Sequence, residues 1–302
     1  MLLLCACYAD GGAVWGGVLH EIGARQEGDV LVLGDGVARV RPVEDAEWDG
    51  LSGGNVPALV PDGGVPPVAV LADIMAVYGA GGPLLVDLVT VPGRGVRVLS
   101  DRLGEVLADL SAGRLVFDDL VREMDRCGVY QGDGGRPALP APPAPRRRSF
   151  PALPAVPGVL LVRTSFEDDP GWSALLDELG GTDAKGRIGA DLDLDPDEFD
   201  DEDFPLEALV VDDRAFEGLH PGQVPALVPP GDHVTLVVLA DNRTFTDPGR
   251  PLTAVDLHAT PGQAAVLPSR HVGSLVCNLD IGNMDFYEFV AEEGVEPWWE
   301  QT

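Results

Sequence analysis

Basic residues are scarce in this chain: 20 Lys and Arg stand against 50 Asp and Glu, a formal charge of −30. A field of that sign repels nucleic acid and anionic lipid and attracts basic partners, although it also serves plain solubility. Long apolar runs are missing as well. The stretch from Met1 to Tyr8 falls far short of the roughly 20 residues that cross a bilayer, so no membrane helix is expected. A secretory signal needs a basic segment ahead of its apolar stretch, but the first Arg is Arg25, and the expected compartment is the cytoplasm. Cysteine is sparse: Cys5, Cys7, Cys127 and Cys277 form no C-x-x-C pair and have no His at zinc-ligand spacing, which fits reduced, partly buried thiols. Cys5 and Cys7 are two apart on a predicted strand and share a face, where a metal or redox pair competes with the plainer structural reading. Phosphate-cradling signatures are absent too. The loop TSFEDDPG at 164–171 lacks the glycines and Lys of a nucleotide site, so no cofactor is expected.

What is present is a repeat. VPALVP occurs at 56–61 and again at 224–229, preceded by Trp48, Gly50 and Leu51 in one place and Phe216, Gly218 and Leu219 in the other. Upstream, Leu2-Leu3-Leu4 aligns with Val159-Leu160-Leu161 at an offset of 157, and Trp15 aligns with Trp172. Downstream, Val70-Leu71-Ala72-Asp73 aligns with Val238-Leu239-Ala240-Asp241 at 168, then Val86-Asp87-Leu88 with Val255-Asp256-Leu257 at 169. The jump in offset places an insertion in the second copy, DLDLDPDEFDDEDF at 191–204. At 302 residues the chain has the length of two domains by the usual prior of about 150 residues each. The expected domains are therefore 1–132 and 158–302, joined by a Pro-rich, semi-rigid linker at 133–157 that contains Arg146-Arg147-Arg148. The charge is uneven: copy one has 9 basic and 19 acidic residues, the linker 4 and 1, copy two 7 and 30.

Each copy is expected to be an α/β domain with a mostly parallel sheet and an antiparallel edge. In copy two the predicted strands are 159–163, 208–212, 234–240, 252–257 and 263–267, the first three nearly continuous apolar runs, as for strands buried on both faces. Asp169-Pro170 is the predicted start of a helix that Gly180-Gly181 ends.

Ligands usually bind where loops leave the carboxyl ends of parallel strands. ADNRTFTDP at 240–248 is such a loop, and its counterpart ADIMAVYGA has turned apolar. The candidate ligand or partner site is accordingly Asp241, Asn242, Arg243, Thr244 and Asp247, with Asp256, Asn278, Asn283 and Asp285 from later segments. Thr164, Ser165, Asp212 and Asp213 should open onto the same edge. The competing reading makes these residues caps and turn formers, with Asn283 as the N-cap of the last helix. His258 shares a strand face with Asp256 and could serve acid-base chemistry, but no Ser or Cys nucleophile is identifiable. In copy one, Asp73 and Asp87 are expected to persist without polar neighbours. In the insertion, Asp191, Asp193, Asp195 and Glu202 fall on calcium-loop positions 1, 3, 5 and 12. Pro196 occupies the sixth position, which needs a positive φ that Pro cannot adopt, so no metal is expected and a solvated charge run is the plainer reading.

Through LVRTSFEDDPGW, ADNRTFTDP, VDLHATPGQ and NLDIGNMDFYEF, the second copy resembles an uncharacterised bacterial domain family, and the first looks like a divergent member. The resemblance implies two tandem domains and no catalytic residue. The expected function is a non-enzymatic, cytoplasmic acidic protein that engages a basic protein partner, as an inhibitor, immunity-type or adaptor protein does. The alternative is an enzyme or small-ligand protein with a polar cleft in copy two, built on Asp241, Arg243, Asp247, Asp256 and Asp285.

Overall fold

The structure is a computed structural model that describes residues 1–34, 36–60, 67–79, 81–132, 149–189, 204–231 and 234–292. The calcium-loop candidates Asp191, Asp193, Asp195 and Glu202 lie outside the described residues, as do residues 146–148 of the linker. The chain divides into two compact units, Met1–Ala141 with His258–Gln263, and Pro142–Leu257 with Ala264–Thr302. Both units are α/β.

In the first unit the strands are β1 (Leu2–Cys5), a small hairpin β2 (Tyr8–Ala9) and β3 (Gly12–Ala13), β4 (Arg25–Glu27), β5 (Val30–Leu33), β6 (Ala38–Val43), β7 (Val68–Ala72), β8 (Leu84–Asp87) and β9 (Gly95–Arg97). The helices are α1 (Gly16–Glu21), α2 (Val56–Leu59), α3 (Ile74–Tyr78), α4 (Leu103–Ser111) and α5 (Phe117–Arg122). The sheet order is β4-β5-β6-β1-β7-β8-β9. Central β1 pairs in parallel with both β6 and β7, and antiparallel strands flank that core on each side. Every residue of β7 and β8 is buried, as the unbroken apolar runs require of strands covered on both faces. Leu3, Cys5, Val68 and Val70 pack on one face against Trp15 and Leu107, while Leu4, Ala69 and Leu71 pack on the other against Val56 of the first VPALVP motif. Each such fully buried Leu or Val contributes roughly 1.5–3 kcal/mol relative to exposure.

The second unit repeats the plan with β10 (Gly158–Arg163), β11 (Arg187–Ile188), β12 (Ala208–Val211), β13 (Val234–Ala240), β14 (Pro251–Val255) and β15 (Ala264–Pro268), in the order β11-β12-β10-β13-β14-β15. Here β10 is parallel to β12 and β13, and β14 and β15 form the antiparallel edge. The predicted strands agree with these to within two residues at each end. Its helices are α6 (Asp169–Glu178), α7 (Asn242–Thr246) and α8 (Val272–Asp280).

Three details differ from the sequence expectations. Copy one carries the antiparallel hairpin β4–β5 beside β6, and copy two a shorter counterpart in which β11 runs antiparallel to β12 and Ile188 bridges Thr182, neither of them among the expected strands. The N-cap of α6 is Asp168, whose carboxylate accepts from the Gly171 N–H at 2.8 Å, whereas the sequence reading makes Asp169 the cap. The register of the first strand is also one residue off the 157 offset. Leu2 pairs with Ala69, whereas the residue opposite the equivalent Val237 is Leu160, so Cys5 rather than Ala6 stands at the place of Arg163.

Candidate functional site

In both copies the chain passes from the central strand to one neighbour and then across to the other, which puts a topological switch point at the carboxyl end between β1 and β7, and between β10 and β13. Crevices for ligands open there in many α/β sheets. In this protein the crevice is stitched shut at its floor. The Thr164 N–H and hydroxyl both donate to the Ala240 carbonyl, at 2.9 and 3.2 Å, and the Thr164 carbonyl accepts from Gly218 N–H at 2.8 Å. Copy one makes the same stitches: Ala6 N–H donates to Ala72 at 2.9 Å, and the Ala6 carbonyl accepts from Gly50 N–H at 3.1 Å. Gly50 and Gly218 sit at φ +70° and +75°, a conformation that favours glycine and explains why the Gly-Leu pair recurs ahead of both VPALVP motifs.

Beside the stitch in copy two lies the most elaborate polar cluster of this edge. Arg163, the last residue of β10, is 4% exposed. Its guanidinium donates to the Ser165 carbonyl at 3.0 Å, to Asp169 at 2.6 Å and to Asp212 at 3.4 Å. It also lies over the Phe166 ring at 4.5 Å and the Trp172 ring at 5.4 Å. Trp172 Nε1 donates to the second oxygen of Asp212 at 3.0 Å, and Arg214 covers Phe166 at 5.0 Å. Planar stacking with simultaneous in-plane donation is what a guanidinium does and an ammonium does not. The cluster ties the loops after β10 and β12 to the first turn of α6. Sequence reasoning placed Thr164, Ser165 and Asp212 on this edge but passed over Arg163, since an Arg that ends an apolar run reads as the strand boundary.

The residues nominated from the sequence fall into separate local groups. Asp241 caps α7: one carboxylate oxygen accepts from the Arg243 N–H at 2.8 Å, the other from the Thr253 hydroxyl at 3.1 Å and from the Arg243 guanidinium at 3.3 Å. Thr244 completes the capping box, accepting from the Asp241 N–H at 3.1 Å and donating to the Pro251 carbonyl at 2.7 Å. Asp241, Arg243 and Thr244 are therefore brought together, and each is engaged there. Asn242 is exposed on α7, and its carbonyl accepts from the Thr246 hydroxyl at 3.0 Å. Asp247 forms a turn with the Gly249 N–H at 2.9 Å. Asn283 donates to Asn278 at 2.7 Å, and Asn278 donates to the Ser274 carbonyl at 2.8 Å. Asp285, not Asn283, is the cap of the last helical turn, in a reciprocal box with Glu288. Asp256 is buried just past the end of β14. Among the described residues no His, Cys, Asp and Glu cluster is arranged to hold a metal ion.

Copy one has replaced the arginine cluster with thiols and a phenol. Cys5 is wholly buried and donates to the Cys7 carbonyl at 3.4 Å; burial is the main cause that pushes both thiols up from their ordinary value. Tyr8 accepts from the Asp45 N–H at 2.7 Å, and burial, helped by Cys5, pushes its phenol up to about 12. The aspartates of copy one do not lack polar neighbours. Asp73 binds the 2% exposed Arg97 through both oxygens, at 3.1 and 2.7 Å, and Asp87 accepts from three successive turn amides (Val89, Thr90 and Val91) and from Arg94. Asp73 and Asp241 are equivalent, so the carboxylate at this strand end keeps an arginine in each copy. That arginine comes from β9 in one and from α7 in the other.

The sequence profile of a domain of unknown function, DUF6924, matches residues 1–133 and 158–297, nearly the whole of both copies. No curated protein and no solved structure matches the chain.

Two outcomes are expected of this edge. Replacing Arg163 by Met should lower stability by roughly 1–3 kcal/mol, the partners being partly solvated, and Arg163→Lys should restore less than half of it; an unchanged urea midpoint for Arg163→Met contradicts the cluster. Tyr8 has a folded-state value raised above the ordinary 10, so its contribution is complete below about pH 10 and is lost as pH rises toward 12. Stability of the parent protein should therefore fall more steeply over that window than stability of Tyr8→Phe, and parallel curves would contradict the assignment.

Proposed function

Because the chain belongs to DUF6924, a domain family of unknown function, its role has to be sought on its own surface, and we propose that it is a non-enzymatic acidic protein that binds a basic protein partner. One observation carries this reading: the exposed charged groups of the loops at the carboxyl edge are predominantly acidic in both copies. In copy two the loops after β10 and β12 expose Glu167, Asp169, Asp212, Asp213 and Glu217, with Arg214 the exposed base among them. In copy one the segment after β6 exposes Glu44, Asp45, Glu47 and Asp49. The 168 offset lays Glu44-Asp45 on Asp212-Asp213. Beneath this rim, Arg163, Arg97, Asp241 and Thr244 are held in ion pairs, caps and hydrogen bonds of the fold, which supports a binding surface over a reactive cleft. Electrostatic complementarity of this kind governs encounter rate and choice of partner more than raw affinity.

The test is a titration of the full chain with a synthetic Lys- and Arg-rich peptide at low and high salt. Binding should weaken at least about tenfold between 50 and 500 mM NaCl, because exposed charges are screened within a few ångströms at the higher salt. Glu167→Gln combined with Glu217→Gln should weaken it further at low salt. Absence of binding at 50 mM, or equal affinity at both salts, contradicts the proposal.

A further inference from the structure

An exposed apolar face stands beside the acidic edge of copy one. In α3, Ala76 is buried and Val77 packs on the core, yet Ile74 and Tyr78, four residues apart and hence on one side of the helix, are 63% and 70% exposed. The solvent face of a surface helix is ordinarily polar, and in copy two it is: the equivalent positions are Asn242 and Thr246. Leu99, a further exposed apolar side chain at 42%, lies against the loop that follows α3: a Cβ on Gly82 would lie 3.2 Å from the Leu99 Cα. Acidic groups border it. Glu21 at the end of α1 accepts from Ser100 Oγ at 3.4 Å, and Asp101 is exposed in the turn after Leu99. Two bases near the border are engaged in the fold: Arg97 is buried and paired with Asp73, and Arg102, next to Asp101, donates to the Gln131 carbonyl and lies over the Tyr130 ring at 5.2 Å.

We infer that Ile74, Tyr78 and Leu99 form the apolar anchor of a docking surface for an amphipathic segment of a partner protein, one whose apolar side chains are flanked by Lys or Arg. The inference rests on the acidic-binding reading above and adds to it the place and the apolar half of the recognition. Charge decides the occupant: a second copy of this chain, or an anionic membrane, would set like charges of the rim against each other. An amphipathic basic segment matches both the apolar face and the acidic border. Copy two, with Asn242 and Thr246, supplies the charge without this anchor.

The probe is a labelled amphipathic Leu/Lys peptide, compared by fluorescence anisotropy with a scrambled peptide of identical composition and no apolar face. The full chain should bind the amphipathic peptide at least about tenfold more tightly than the scrambled one, a difference of about 1.4 kcal/mol. The double substitution Ile74→Asn and Tyr78→Thr installs the residues that copy two already tolerates. It should bring the two peptides to within about twofold of each other while leaving scrambled-peptide binding and the thermal midpoint unchanged. Equal binding of both peptides by the parent chain overturns the anchor and leaves the acidic reading standing, as does a double variant that keeps the preference. Failure of both peptides to bind overturns both readings. A parent chain that sediments as a dimer, and becomes monomeric in the double variant, assigns the face to a second copy and overturns the inference.

Discussion

The stitch that closes the central strand onto its far neighbour is the constraint from which the rest of each domain follows. One residue past the end of β1 or β10, an amide donates to Ala72 or Ala240, and the carbonyl of that same residue accepts from Gly50 or Gly218. The first bond prolongs the parallel ladder beyond the strand. The second fixes where the loop after β6 or β12 returns, and it needs a residue at positive φ to do so. With both made, the VPALVP segment that follows is delivered to one face of the sheet, where Val56 and Val224 are completely buried.

Side chains nearest the stitch are used by the fold: Arg163 braces two loops and two aromatic rings, Asp241 caps a helix, and Asp73 holds Arg97. The charge that remains exposed is predominantly acidic in both copies. The two copies therefore differ less in charge at this edge than their overall composition suggests. Where they differ is in what lies beside it, Asn242 and Thr246 in one and Ile74 and Tyr78 in the other.

Much of the architecture was legible in the residues. The repeated motifs marked two domains, and unbroken apolar runs marked the parallel core, because strands covered on both faces leave no polar alternation to confuse the pattern. The antiparallel pair β5–β6 was also signalled, by Val30-Leu31-Val32-Leu33 and the alternating Ala38-Arg39-Val40-Arg41 on either side of Gly34-Asp35-Gly36 in the sequence. Taking copy two as the template hid it. The site was less legible. Caps slipped by a residue or two, as at Asp168 and Asp285, because neighbouring Asp and Asn compete for the same amides. The one-residue register of β1 was invisible, since three leucines in a row align equally well either way, and a shift of one exchanges the faces. That slip concealed the replacement of Arg163 by Cys5. The pairing of Asp73 with Arg97 was hidden for another reason: it joins residues 24 apart, and the repeat sets Val266 opposite Arg97.

The proposed recognition lies on the carboxyl edges of the two parallel cores. Hydrogen exchange of the full chain, with and without the basic amphipathic peptide, tests that placement directly. Added protection should fall on the segments after β10 and β12, after β6, and on α3, all at the carboxyl edge. Protection confined instead to β14 and β15, or spread evenly over both sheets, would contradict it.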